Sequence, residues 1–371
     1  MSITRRSLFA TAGPTAAPPV PKLQHRTLGR TGLKVTTVGF GCMMTSDVTV
    51  IEKAVDLGVN YFHTARVYQG GNSERMLGAA LKGTRKKVLV GTKSLAQAPA
   101  AALEDLETSL KELGTDYLDI WYVHAWKPEL DDPSEGLLEA LSQAMKQGKT
   151  RFVGLTTHGN QADVLARAVK LGVIDAVVTS YNFAIDEGLN PAIERAHKAG
   201  IGIIAMKVMA GGVRNAPWYP TPDEVRARVG RPGAPLAALK WALKNENVAC
   251  AIPSMVDQEQ LDENLRAMSE RFRDNDGRVL TARLEELRPV YCRMCGACDG
   301  KCTQRLPVAD LLRFLMYAES YGDFAFARQQ YLELPADVKA ARCNDCRDCA
   351  VQCLNGVRVA ERLTRAQELF S

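Results

Sequence analysis

Between residues 34 and 269 the chain alternates short apolar runs with longer stretches whose apolar positions recur every three or four residues. The runs at 35–41, 59–62, 88–92, 117–123, 152–156, 176–180, 202–206 and 249–252 predict buried strands. The stretches at 101–113, 136–146, 161–171, 189–199 and 235–244 carry the period of amphipathic helices, and Leu103, Leu106, Leu110 and Leu113 trace one such face. Several helices end in a glycine followed by an apolar residue, as in Leu57-Gly58-Val59, Leu171-Gly172-Val173 and Ala199-Gly200-Ile201. Glycine suits a helix end because it takes the left-handed conformation without a Cβ clash. Eight strands alternating with helices predict a (β/α)8 TIM barrel. An open doubly wound sheet would carry a Gly-x-Gly-x-x-Gly turn after its first strand; Cys42-Met43-Met44-Thr45-Ser46 stands there instead.

The chain has 371 residues, 46% hydrophobic and 24% charged, an ordinary globular composition with room for one large domain and a smaller one. Its formal net charge of +5 is spread along the sequence with no basic stripe among aromatics, which argues against a nucleic-acid partner. The longest apolar stretch, 200–212, is interrupted by Lys207 and is too short to span a membrane.

Ten cysteines change the picture, because only Cys42 and Cys250 precede residue 292. The other eight form Cys292-x-x-Cys295-x-x-Cys298-x-x-x-Cys302 and the same spacing again at Cys343, Cys346, Cys349 and Cys353. Two copies of this spacing predict a pair of 4Fe–4S clusters. Zinc is satisfied by two Cys-x-x-Cys pairs and would leave the remaining cysteines idle. A cluster also ties several chain positions together, so a purely structural role stays open. Between the motifs, 306–334 reads mainly as helix, with Leu311, Leu312, Leu315, Met316 and Tyr317 on an apolar face. This resembles the α-helical ferredoxin type. The resemblance implies an exchange of ligands in which Cys292, Cys295, Cys298 and Cys353 hold one cluster, and Cys343, Cys346, Cys349 and Cys302 the other.

The first twenty-one residues stand apart. Arg5 and Arg6 follow Thr4 and precede Leu8-Phe9-Ala10 and an Ala/Pro-rich stretch, a pattern similar to a twin-arginine export signal. The expectation is export to the periplasm of a protein already folded around a cofactor. The alternative is a disordered tail on a cytoplasmic protein. The organisation expected is therefore a tail at 1–21, a barrel at 22–285 and a small α-helical ferredoxin-like domain at 286–371.

Thr27-Leu28-Gly29-Arg30-Thr31-Gly32-Leu33-Lys34-Val35, Gly39-Phe40-Gly41, the run from Gly58 to Tyr68 and Gly71-Asn72-Ser73-Glu74 resemble the opening of aldo-keto reductases, in the branch that carries iron–sulfur clusters. The resemblance extends to about Ala267 and implies a catalytic tetrad at the C-terminal ends of the strands: His63, Tyr68, Lys93 and His124. In that chemistry the tyrosine protonates a carbonyl oxygen as hydride reaches its carbon. The lysine ammonium pulls the phenol pKa down, and histidine positions the carbonyl. The family's first member is normally Asp; His63 removes its fixed negative charge from Lys93.

The same resemblance places an NAD(H) or NADP(H) site along Ile252 to Asn264, with Glu263 and Asn264 at the adenine. Ser254 and Gln260 stand where cations usually grip the 2′-phosphate, so the NADP preference of the family is not expected. Thr156 and Thr157 occupy the place of the carboxamide contacts; Met206-Lys207 stands where Tyr-Ser is usual, so the aromatic stack under the nicotinamide is missing, and Lys207 is placed to meet the pyrophosphate. The leading reading is an oxidoreductase acting on a carbonyl/alcohol pair of a small, carbonyl or sugar-like substrate, coupled through two clusters to a redox partner protein. Hydride carries two electrons and each cluster passes one; no residue pattern demands the flavin that commonly splits such a pair. The alternatives are a non-enzymatic iron–sulfur electron carrier on a retired barrel and a sugar-binding barrel. Trp126 and Trp218-Tyr219 are candidate pocket walls.

Overall fold

The computed structural model describes residues 22–126, 135–185, 187–211, 233–343, 346 and 348–371. Arg5, Arg6 and Trp218-Tyr219 lie outside these residues. The chain enters through an antiparallel hairpin of β1 (His25–Thr27) and β2 (Lys34–Thr36). Buried Leu28 and Leu33 from this hairpin share a core with Tyr61, Ile120, Val178 and Ile204, so the hairpin closes one end of the barrel interior.

Eight parallel strands succeed it: β3 (Phe40–Gly41), β4 (Tyr61–His63), β5 (Leu89–Ser94), β6 (Leu118–Val123), β7 (Thr150–Thr157), β8 (Ala176–Ser180), β9 (Gly202–Met206) and β10 (Cys250–Ala251). Each pairs with its sequence neighbour, and parallel bridges Val38 to Ala251 and Gly41 to Ser254 close the sheet into a barrel. All eight expected strands are present, with one redrawn. The run 35–41 splits, because Lys34–Thr36 is drawn into the hairpin and only Phe40–Gly41 joins β4.

Alternation decides which side chains fill the barrel. Tyr61, Ile120, Tyr122, Val178 and Ile204 point inward, while Phe62, Trp121, Val177 and Ile203 pack under the helices. The Tyr61 and Tyr122 hydroxyls lie 2.8 Å apart inside the barrel. Gly91 makes room for them, since a Cβ there would fall 2.8 Å from the Tyr61 hydroxyl.

The outer ring consists of α1 (Val48–Asp56), α2 (Asn72–Ala80), α3 (Pro99–Leu113), α4 (Glu135–Lys146), α5 (Gln161–Leu171), α6 (Asn190–Lys198), α7 (Ala234–Lys244), α8 (Gln258–Leu265) and α9 (Asp274–Leu287). Asp47 caps α1 by accepting from Thr49 N at 2.8 Å, and Asp257 caps α8 by accepting from Gln260 N at 2.7 Å. Among the described residues, no helix is long and apolar enough to cross a membrane.

Beyond α9 the chain forms α10 (Val308–Glu319), α11 (Phe324–Leu332), α12 (Ala336–Ala340) and α13 (Val359–Phe370). The helix expected at 306–334 breaks at Gly322, which has a left-handed φ of 71°, and Asp323 starts α11 by accepting from Phe326 N at 3.1 Å. α10 is buried on almost every side, and Leu311, Leu315 and Met316 share a core with Ala184 and Ala210 of the barrel. Phe370 anchors the last helix against Phe324 and Tyr331, with ring centroids 6.0 and 5.7 Å away. Phe370→Ala should cost about 3–5 kcal/mol of this segment's stability, the range for a buried Phe. Urea unfolding of the variant checks this, and an unchanged midpoint would refute the anchoring role.

Candidate active site at the barrel mouth

His63 ends β4, Lys93 lies near the end of β5 and His124 follows β6, so the register of a parallel barrel brings all three to one mouth. Tyr68 sits in the turn after β4 and reaches across them. Lys93 Nζ donates to Thr64 O at 2.8 Å and lies 3.4 Å from His63 Nδ1. It also lies over the Tyr68 ring, 4.4 Å from the centroid. The His124 ring meets Tyr68 edge-on at 6.0 Å. The structure therefore brings His63, Tyr68, Lys93 and His124 together.

The electrostatics differ from the expectation in one respect. Tyr68 is pushed well above the usual phenol range by burial, with Tyr317 and Cys42 adding to the effect. Arg313 opposes this rise, and Lys93 sits over the ring face, where it makes a cation–π contact. Burial also lowers Lys93 strongly, only partly opposed by Cys42 and Glu74. Glu74 itself is engaged with Arg66 and accepts from Thr92 Oγ1 at 2.6 Å. Burial, then Lys93 and its neighbours, lowers His63 and His124, which keeps both imidazoles neutral near pH 7. His63 Nε2, His124 Nδ1 and His158 Nδ1 are buried without a hydrogen-bond partner.

A cavity of about 320 Å³ opens from Tyr68 and His63 along the loop 41–44, past Met206 and Lys207, to Ser254, Gln260, Glu263 and Asn264. Both amide atoms of Asn264 are buried with no hydrogen-bond partner, although the residue lines this cavity. An unpaired buried amide is costly, so this one fits a ligand with complementary polar atoms, as an adenine has. Gln260 is committed locally: Oε1 accepts from Val256 N at 3.3 Å and Nε2 donates to Asp257 at 3.0 Å. Arg266, a cation on the same stretch, is paired with Glu270 at 2.7 Å.

Thr156 and Thr157 stand apart from the other expected contacts, because neither is among the residues that line this cavity. Thr156 Oγ1 accepts from Ala125 N at 2.8 Å, and Thr157 Oγ1 donates to Gly159 O at 2.6 Å. The next residue, His158, lines the cavity instead, its ring 6.2 Å from that of His124. Trp126 is buried among the residues of the barrel core. Tyr317 and Tyr321 complete the cavity wall from the C-terminal segment. Their distance in sequence from the barrel motifs hid them, since a helical apolar face gives no sign of what it covers.

The first cysteine loop is seated on the same mouth. Asn160 N donates to Met294 O at 3.2 Å, and Asn182 Nδ2 donates to the Tyr291 hydroxyl at 3.0 Å. Burial pushes the Cys292 thiol up to about 12, and repulsion from Cys298, Cys295 and Cys353 adds to it. Cys343 is likewise raised by burial and by Cys349, Cys302 and Cys346. The segments also cross over: Asn355, just after Cys353, donates to Cys295 Sγ at 3.7 Å, and Thr303, just after Cys302, lies 3.3 Å from Cys346 Sγ. Among the described residues no group of three or more His, Cys, Asp or Glu side chains is placed to hold a metal ion.

A model of the Aldo/keto reductase family matches residues 41–283. L-galactose dehydrogenase of Arabidopsis thaliana is 28% identical over 286 residues, covering 67% of this chain and 89% of that protein. A probable voltage-gated potassium channel subunit beta of Arabidopsis thaliana is 26% identical over 301 residues, covering 66% and 91%. The solved holo form of aldo-keto reductase AKR11C1 from Bacillus halodurans superposes with a TM-score of 0.59 at 24% identity, covering 70% of this chain and 96% of that one.

Proposed function

Because the chain belongs to the aldo/keto reductase family, we propose that its barrel is a nicotinamide-dependent oxidoreductase acting on the carbonyl/alcohol pair of a small molecule. The carrying observation is the continuous cavity that joins Tyr68 and His63 at one end to the unpaired Asn264 amide at the other. A nicotinamide held in this cavity would supply hydride to the carbonyl carbon. Tyr68 supplies the proton to its oxygen, and a phenol pushed high in pKa stays protonated for that role across the neutral range. Neutral His124, edge-on to Tyr68, orients the carbonyl, and Lys93 holds the Tyr68 ring from its face. Lys207 at the middle of the cavity offers its ammonium to the pyrophosphate.

The eight C-terminal cysteines are assigned to two 4Fe–4S clusters, which would pass single electrons to a redox partner protein. The grouping of Cys292, Cys295, Cys298 with Cys353, and of Cys343, Cys346, Cys349 with Cys302, supports this assignment. The division into a tail, a barrel and a cluster domain near residue 285, and export by a twin-arginine route, are part of the same proposal.

Anaerobically purified protein mixed with NADH or NADPH and a panel of aldehydes, ketones and aldoses tests this reading. Nicotinamide oxidation with at least one member is expected, and neither binding nor turnover across the panel would overturn it. The same titrations test cofactor selectivity. With Gln260 tied to Asp257 and Arg266 to Glu270, no cation on this stretch is left to meet a 2′-phosphate. NADH should therefore bind at least as tightly as NADPH. A preference for NADPH of roughly tenfold, about 1.4 kcal/mol, would contradict this.

A further inference from the structure

A second cavity, of about 220 Å³, lies beyond His158, which borders both it and the first. Three parts of the chain wall it. The turn after β7 supplies His158 and Asn160, the first cysteine loop supplies Met294 and Asp299, and the start of α10 supplies Pro307, Asp310 and Arg313. Gly296 lets that loop come so close, because a Cβ there would collide with Asn160 Oδ1 and lie 3.1 Å from Asp299 Oδ2. The rings of Tyr68, His124 and His158 lead from the catalytic tyrosine to this cavity, 6.0 and 6.2 Å apart in turn.

The polar groups around it have capacity to spare. His158 Nδ1 is buried with no hydrogen-bond partner. Among the described residues, the Asn160 amide and the Asp299 carboxylate make no hydrogen bond either. Arg313 is 8% exposed and spends Nη2 on Asp310 at 2.8 Å and Nη1 on the Tyr317 hydroxyl at 3.4 Å. A guanidinium has more N–H groups than those two bonds use.

Charge excludes an ion as the occupant, since Asp299 and Asp310 repel an anion and Arg313 repels a cation. A hydroxyl group suits the set, because it donates and accepts at once. The carboxylates take hydroxyl protons, while Arg313 and the Asn160 amide give N–H to hydroxyl oxygens. Burial, with Arg313 and Lys207 adding to it, keeps His158 neutral, so its ring offers one donor and one acceptor. Met294 and Pro307 give the C–H faces of such a ligand an apolar bed.

We propose that this second cavity is a polyol subsite, seating the hydroxylated tail of a substrate whose carbonyl lies at Tyr68. It rests on the carbonyl-reductase reading, and it makes the first cysteine loop part of the substrate site.

Two variants of the full chain test it. Asn160→Gly deletes the amide, keeps the left-handed φ of 48° and loses no helix cap, since the side chain makes no cap bond to α5. Ala309→Phe fills the cavity from the first turn of α10. Each is assayed with NADH on D-xylose and on pentanal, carbon chains of equal length that differ in their hydroxyls. The ratio of kcat/KM for xylose to that for pentanal should fall by roughly tenfold in Asn160→Gly, the size of one or two lost hydrogen bonds, and further in Ala309→Phe. An unchanged ratio, whether both rates fall together or neither falls, would overturn the proposal. Xylitol, which has no carbonyl to reduce, is followed by saturation-transfer NMR on the same proteins. Transfer is expected in wild type and its loss in Ala309→Phe; no transfer in wild type, or equal transfer in both, would also overturn it. If wild type oxidises NADH with no carbonyl while xylitol binds as expected, the reductase reading fails and the polyol site stands.

Discussion

Tyr68→Phe should cut carbonyl turnover by roughly 10²–10⁴ while leaving the fold and the cysteine-bound iron unchanged. The substitution deletes one hydroxyl and keeps the ring that meets His124 at 6.0 Å, Phe326 at 6.5 Å and the Lys93 ammonium at 4.4 Å. Loss of rate can then be read as loss of the proton donor, because packing is conserved. His63→Asp is the companion experiment. A carboxylate in place of the imidazole 3.4 Å from Lys93 Nζ would favour the charged ammonium that burial now opposes, and turnover should rise or hold steady. Unchanged turnover in Tyr68→Phe, measured on the same substrate, would reject this tyrosine as the acid and favour an electron carrier on a retired barrel.

The second large effect concerns iron. Anaerobically reconstituted protein should hold about eight irons, and Cys353→Ala about four, with the barrel still folded. Cys353 lies 55 to 61 residues along the chain from Cys298, Cys295 and Cys292, and a spectrum showing one intact cluster in this variant would support its role as a cluster ligand. Cys302→Ala should remove the other cluster. Zinc at stoichiometric level with little iron would overturn the assignment.

The barrel was legible because its signal is local and repeated. Each strand is a short apolar run beside a helix of clear period, and even the glycines at the helix ends behave as their neighbours require. The one redrawn strand, 35–41, failed where two sheets compete for the same residues, since hydrophobicity alone cannot say that Lys34–Thr36 prefers β1. The tetrad positions were legible for a similar reason, as each lies at or just beyond a strand end. What the sequence hid was burial. The direction of the Tyr68 shift depends on how fully α10 and α11 cover it, and those helices follow more than two hundred residues later. Thr156 and Thr157 likewise look available in sequence, and only the fold shows that neither lines the cavity. Tyr317 reads as one more apolar position on a helix until Lys207 and Arg313 are seen on either side of its oxygen.

α10 draws its apolar neighbours from the barrel rim as well as from its own segment. Ala184 and Ala210 of the barrel rim share one core with Leu311, Leu315 and Met316, and a Cβ on Gly211 would press on Met316 at 3.3 Å. A chain cut after α9 would leave that rim bare to solvent and lose one wall of the cavity, so the barrel should not be portable as a free-standing catalyst. Grafting the C-terminal segment of a relative onto it would import that relative's residues at Tyr317 and Tyr321. Substrate choice would then pass to the recipient with the graft, although every barrel strand kept its own sequence.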